Sequence, residues 1–286
     1  MAIEALVSTG SPSPQSLMTV ASFPGTAQSR RRRLDLGGIL LDRVDLAGAL
    51  QRIEYFVRSG EPHQIVTVNL DFLSIANRDS AFRSTLNSAD LAVADGMPLV
   101  WLSKLKGEPL VERVAGVELV TQSCSLAAEL GASVFLLGAA DGIAEAAGRR
   151  LESMFPGLRV AGTYSPPVGT LTPEENQRIV DLIRLAAPDF LFVALGAPRQ
   201  DLWISAHQAE LQVPVAMGVG CVFDVLAGSV KRAPVWMQRT GLEWAFRLGQ
   251  EPQRLWRRYL VNDLPLLARL AVMRGEGSVE AVPVAW

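Results

Sequence analysis

From Gly38 onward the chain alternates short β-branched apolar runs with longer stretches of helical periodicity, the pattern of βαβ units in a mostly parallel sheet. The runs predict strands at Ile39–Leu41, Ile65–Leu70, Leu91–Ala94, Val134–Leu137, Val160–Tyr164, Phe190–Leu195 and Val213–Val219. Between them, apolar spacing predicts helices at Leu46–Arg58, Ala81–Ser88, Pro98–Leu105, Val117–Leu130, Gly142–Phe155, Pro173–Ala186 and Arg199–Glu210. One helix start is explicit: Thr172-Pro173-Glu174-Glu175 offers a capping hydroxyl, a proline at the first helical position and a carboxylate at the third. After Gly228 the rhythm becomes purely helical and rich in Trp and Arg through Gly275. The expected architecture is α/β: a Rossmann-like, three-layer, mostly parallel sheet over residues 34–228, followed by a helical appendage over 229–275. Residues 1–33 mix Ser, Pro, Gly and Thr and close on Arg30-Arg31-Arg32-Arg33; without either periodicity they read as a disordered tail, and 276–286 as a frayed end.

Composition narrows the class. A length of 286 residues suits one large domain with appendages, because single cores stop growing near about 250–300 residues. Apolar residues make up 49% of the chain, yet no segment reaches the roughly 18 uninterrupted apolar positions that a membrane-spanning helix requires. The Arg30–Arg33 run follows the apolar positions instead of preceding them, the reverse of a signal peptide. Cys124 and Cys221 lack metal-ligand spacing and are expected to be buried free thiols. A net charge of −2 argues against nucleic acid as a partner. The charge is unevenly spread: residues 231–274 hold nine basic and three acidic side chains, a local balance of +6 that suits an anionic surface.

The candidate chemistry lies where apolar runs stop on polar groups. Val93-Ala94-Asp95-Gly96 ends a buried strand on a carboxylate, the place where open α/β sheets hold ligands. Asp95 can serve there as a base, or it can cap the helix entering near Pro98. Thr67 and Asn69, two apart on a strand, face one side and can converge on a substrate or satisfy the following turn. Arg113 follows Glu112, so a local ion pair competes with a role on an anionic ligand. Glycine turns at Gly138 and Gly196, and the run Gly218-Val-Gly220-Cys-Val-Phe-Asp224, allow backbone to approach a ligand, although none forms a full dinucleotide or Walker signature. No Asp-x-Asp pair of the kind that holds a divalent metal and no cofactor motif is present. His63 and His207 read as surface or capping residues, which leaves Ser-His-Asp hydrolysis without its histidine.

Seven segments in order, Thr67-Val-Asn69, Ala94-Asp95-Gly96, Glu112-Arg113-Val-Ala-Gly116, Gly196 to Trp203, Gly218 to Asp224, Arg232-Ala-Pro234 and Glu243-Trp244-Ala-Phe-Arg247, resemble the WecG/TagA/CpsF glycosyltransferases, from about Ile39 to Leu267. The resemblance implies an inverting, metal-independent, cofactor-free transfer from a UDP-sugar to a polyprenyl-diphosphate-linked saccharide for a surface polysaccharide. It implies Asp95 as base, Thr67, Asn69, Arg113 and Gln200 as further catalytic positions, and Asp224 near the uridine. It also implies Arg247, Arg254 and Arg257 over the diphosphate. The indoles and guanidiniums of the appendage suit contact with an anionic membrane at the cytoplasmic face, against an ordinary amphipathic helix packed on the core. A homo-oligomer is compatible with this reading. Met97-Pro98 departs from smaller residues associated with N-acetylmannosamine donors and leans toward a hexose for exopolysaccharide. Two rivals stand beside it: an NAD(P)-linked oxidoreductase, opposed by the missing G-x-G-x-x-G, and a non-catalytic module that binds anionic lipid.

Overall fold

The computed structural model describes residues 31–167, 169–272 and 280–282. In chain order the elements of the core are β1 (Arg31–Asp35), β2 (Leu40–Asp42), α1 (Leu46–Ser59), β3 (His63–Val68), α2 (Leu70–Ala76), α3 (Ser80–Ser88), β4 (Leu91–Ala94), α4 (Met97–Leu105) and α5 (Gly116–Leu130). They continue with β5 (Ser133–Gly138), α6 (Ile143–Met154), β6 (Arg159–Tyr164), α7 (Pro173–Ala186), β7 (Phe190–Ala194), α8 (Arg199–Leu211), β8 (Val215–Gly218) and α9 (Val222–Ala227). The appendage holds α10 (Val235–Arg239), α11 (Glu243–Gln250), α12 (Pro252–Trp256), a π-helical segment (Arg257–Asp263) and α13 (Leu264–Val272); β9 (Glu280–Val282) follows.

Six strands form an all-parallel sheet in the order β4-β3-β8-β7-β5-β6. Successive strand residues face opposite layers, as a strand's period of two demands. Ile65, Leu91, Val93, Phe190, Phe192 and Met217 pack with α1, α5, α6 and α9 on one side. Val66, Val68, Ala92, Ala94, Leu191 and Val193 face α2, α3, α4, α7 and α8 on the other. Because both faces are covered, these strands are apolar throughout rather than alternating. The chain lays down β3 and β4 at one end, crosses to β5 and β6 at the other, then fills the middle with β7 and β8. That change of direction opens a crevice at the carboxyl ends of the strands.

The structure departs from the sequence pattern in three places. The strand expected through Leu70 stops at Val68, because the Asn69 side chain accepts from the Phe72 amide at 3.3 Å and starts α2. The tail expected to run through residue 33 includes β1, which pairs with β2 and β9 in an antiparallel three-stranded sheet. Arg33 is only 3% exposed: it lies 3.3 Å from the Asp42 carboxylate and donates to the carbonyls of Asn87 and Ala89. Asp42 also receives Arg52 at 2.7 Å and the Ala92 amide at 2.9 Å, joining the small sheet to β4. In the same way β9 falls within the expected frayed end; residues 1–30 lie outside the described residues.

Among the described residues no helix is long and apolar enough to cross a membrane. The appendage seats on the core through Gly241, where a Cβ would lie 2.6 Å from the Trp101 ring and 2.9 Å from Met97 Cβ. Arg258 reaches Asp71 of α2 at 3.2 Å.

Candidate active site at the carboxyl edge of the sheet

Asp95 directly follows β4, and its amide donates to the Val68 carbonyl at 2.7 Å, which ties the ends of β4 and β3 together. The start of α5 closes over it. A Cβ placed on Gly116 would lie 3.4 Å from Asp95 Oδ2 and 3.6 Å from Thr67 Oγ1, so carboxylate, hydroxyl and helix N-terminus converge on one point. The Gly116 amide donates to the Asp95 carboxylate. Helix α4 begins after Gly96 without a side-chain cap, so capping is not Asp95's duty.

Burial raises the Asp95 pKa to about 6 against the opposing pull of Arg113; Glu243 adds to the rise, while the Gly116 amide and Arg247 lower it. A carboxylate tuned to this range can hold and release a proton near neutral pH.

Arg113 does not pair with its neighbour. The Glu112 carboxylate instead accepts from the Leu46 amide at 2.8 Å, whereas Arg113 Nη1 donates to Glu243 Oε2 of α11 at 2.9 Å. Arg232 donates to Glu118 at 2.9 Å and approaches Glu243 at 3.7 Å, and Arg113 lies 3.8 Å from Glu118. Arg247, one turn along α11, donates to Cys221 Sγ at 2.9 Å.

Gln200 is buried on the first turn of α8, and its Oε1 accepts from the Gly220 amide at 3.0 Å, linking the turn after β7 to the turn after β8. Gly218 is a glycine for lack of room, since a Cβ would sit 2.5 Å from Asp201 Oδ1 and 2.6 Å from Gln200 Nε2. Gly196 and Gly220 have positive φ and open space around them, which leaves their backbone accessible. Gly138 differs: its missing side chain admits the Ala194 carbonyl, 2.6 Å from an added Cβ, so close packing of β5 on β7 accounts for this glycine. Asp224 is half-buried in the first turn of α9.

The structure thus gathers Thr67, Arg113 and Arg247 around the Asp95 carboxylate and brings Gln200, Gly218 and Gly220 together on the adjoining strand ends. It does not gather every expected residue. Asn69 is engaged in capping α2, although its Cβ lies close to Gly96. Arg257 is exposed and stacks over Trp256, 5.4 Å from the ring centroid. The Arg254 side chain lies outside the described residues. Cys124 is buried, its pKa pushed up to about 12 by desolvation, but Cys221 is only half-buried, contrary to expectation, with its Sγ accepting from Arg247. The histidines are half-buried and packed on aromatic rings: His63 stacks on Phe56 at 3.9 Å, and His207 stacks on Trp203 while bonding Asn176 and the Trp203 carbonyl. Glu243 and Arg232 are site neighbours that spacing alone did not single out, although both stand inside the recognised segments.

The glycosyl transferase WecG/TagA/CpsF family matches residues 34–278, across the α/β core and the helical appendage. The chain belongs to this family. It is 31% identical over 242 residues to a Staphylococcus aureus (strain MW2) protein named N-acetylglucosaminyldiphosphoundecaprenol N-acetyl-beta-D-mannosaminyltransferase, covering 84% of this chain and 91% of that one. A Bacillus spizizenii protein of the same name is 37% identical over 196 residues, covering 68% of this chain and 74% of its own. The crevice described above is therefore the candidate site of a WecG/TagA/CpsF glycosyltransferase.

Proposed function

We propose that this protein transfers a sugar, with inversion, from a UDP donor to N-acetylglucosamine carried on a polyprenyl diphosphate, in the synthesis of a surface polysaccharide. The observation that carries the reading is the Asp95 carboxyl group at the strand edge, with its pKa at about 6. In this reaction the deprotonated Asp95 accepts the proton of an acceptor hydroxyl as that oxygen attacks the donor's anomeric carbon. The bond from that carbon to the diphosphate oxygen breaks on the opposite face, and UDP leaves with the electron pair. Arg113 and Arg247 offset the developing negative charge, so no divalent ion is required. Thr67 and Gln200 orient the two substrates, with Asn69 beside Gly96; the open backbone at Gly196 and Gly220 borders the nucleotide, and Asp224 accepts from its uridine part.

The donor sugar is read from the relatives, whose names give N-acetylmannosaminyl transfer. Met97 and Pro98 form the first turn of α4, with Met97 beside Gly241, and the hexose to which this pair leans is set against N-acetylmannosamine by the donor panel below. The acceptor's lipid requires a membrane, and the appendage exposes Trp236, Trp244, Trp256, Leu260, Val261 and Leu264 on a basic segment. Such a surface suits peripheral attachment at the cytoplasmic face of the plasma membrane.

A panel of UDP-N-acetylmannosamine, its uronic acid and UDP-glucose, with a short-chain polyprenyl-diphosphate N-acetylglucosamine and EDTA present, tests this. Transfer from UDP-N-acetylmannosamine with inverted anomeric configuration is expected. Absence of transfer from every donor, or activity lost to EDTA and restored by Mn²⁺, contradicts the proposal.

A further inference from the structure

Arg113 and Glu243 come from distant parts of the chain, the loop before α5 and the first turn of α11. With Arg232 and Glu118 they form a closed ring of two guanidiniums and two carboxylates: Arg113 to Glu243 at 2.9 Å, Glu243 to Arg232 at 3.7 Å, Arg232 to Glu118 at 2.9 Å, and Glu118 back to Arg113 at 3.8 Å. Of its members, Arg113 is the least exposed, at 14% of its side chain. A site built only to attract a diphosphate gains nothing from a carboxylate on its arginine, because like charge repels the ligand. The arrangement makes sense if that carboxylate holds the guanidinium in one orientation. A planar guanidinium gripped on one edge keeps its remaining N–H groups aimed at a second anion.

We propose that Glu243 is a positioning residue: its carboxylate, on the first turn of α11, grips Arg113 and fixes that guanidinium beside Asp95. This rests on the reading of Asp95 as base and Arg113 as a diphosphate ligand. The groups acting on Asp95 are Arg113 from the loop, Glu243 and Arg247 from α11 and the Gly116 amide from α5. Glu243 raises the Asp95 pKa, and Arg113 lowers it. Loss of the Glu243 charge therefore moves the acidic limb of the rate profile to lower pH, and loss of Arg113 moves it to higher pH.

The test measures kcat, KM and the pH profile for Glu243→Ala, Glu243→Gln, Arg113→Ala and the Glu243→Ala/Arg113→Ala pair, using UDP-N-acetylmannosamine and the short-chain acceptor. Glu243→Ala is expected to lower kcat between about tenfold and a hundredfold, the cost of misplacing a positioned group. Glu243→Gln, whose amide oxygen can still accept from Arg113, should keep more turnover while showing the same shift of the acidic limb. In the Arg113→Ala background the Glu243 substitution should cost less than twofold, because a residue acting through another has nothing left to act through. Equal losses in both backgrounds, or an unmoved acidic limb in Glu243→Gln, overturn the inference and leave the catalytic reading standing. Full turnover in Arg113→Ala itself overturns both.

Discussion

Gln200 and Gly218 meet where the turn after β7 crosses the end of β8: Gln200 Nε2 occupies the space, 2.6 Å away, that a Cβ on Gly218 would enter. The same Gln200 holds the Gly220 amide through Oε1 at 3.0 Å. Gly218→Ala should therefore displace Gln200 and Asp201 together and destabilise the fold by about 1–3 kcal/mol, the usual cost of overpacking. Urea unfolding measures this, and it should be accompanied by weaker UDP binding. A variant with parental stability and affinity would show that the glycine has another purpose.

The buried ion pair of the small sheet makes a separate prediction. Arg33→Ala takes one of two guanidiniums from the buried Asp42 carboxylate and removes the donor to the Asn87 and Ala89 carbonyls, so it should cost about 3 kcal/mol in urea unfolding. Arg52→Ala should cost less than half as much, because the Arg52 side chain is partly solvated. Equal losses would mean that burial does not set the difference.

Two adjacent arginines should behave differently toward membranes. Arg257 is exposed, whereas Arg258 is tied to Asp71. A basic group near an anionic surface contributes about 1 kcal/mol, so Arg257→Gln should weaken binding to phosphatidylglycerol-containing vesicles roughly fivefold. Arg258→Gln should mainly lower the melting temperature. Reversed effects would place Arg258 on the membrane side.

Asp95 should also cost the protein stability. Its carboxyl titrates near 6 in the folded chain against 3.8 ordinarily, so the native state holds the proton more tightly than the unfolded one. The unfolding free energy should then fall as pH rises from about 4 to about 6, and above that range Asp95→Asn should be at least as stable as the parent. An Asn variant that melts lower than the parent at pH 8 would contradict this.

Much of the sheet is legible in the sequence because a strand covered on both faces must be apolar throughout, and such runs stop abruptly, as at Asp95. The N-cap at Thr172 appears as expected, its hydroxyl accepting from the Glu175 amide at 3.2 Å. Helix α2 was hidden by the capping action of Asn69, a side-chain bond that composition does not reveal. Strand β1 was hidden because arginine signals solvent, and it takes the Asp42 carboxylate across the strand pair and the Asn87 and Ala89 carbonyls to make Arg33 a buried residue. The same limit applies at the site. Asp95, Thr67 and Gln200 stand at strand ends or in recognisable turns, but the partner of Arg113 is 130 residues away in another element. Gly138 shows a further limit, since a glycine that admits a neighbouring strand looks in sequence like one that admits a ligand.

The most direct test of the account is the pH dependence of kcat/KM for the parent enzyme and Asp95→Asn, using UDP-N-acetylmannosamine and the short-chain acceptor. The parent rate should rise with pH and level off above about 6, where Asp95 is ionised. Asp95→Asn should fold and bind UDP as the parent does but lose turnover by ~10²-fold or more, and its residual rate should lack that limb. Turnover within about threefold of the parent, with the acidic limb intact, would show that another group takes the proton.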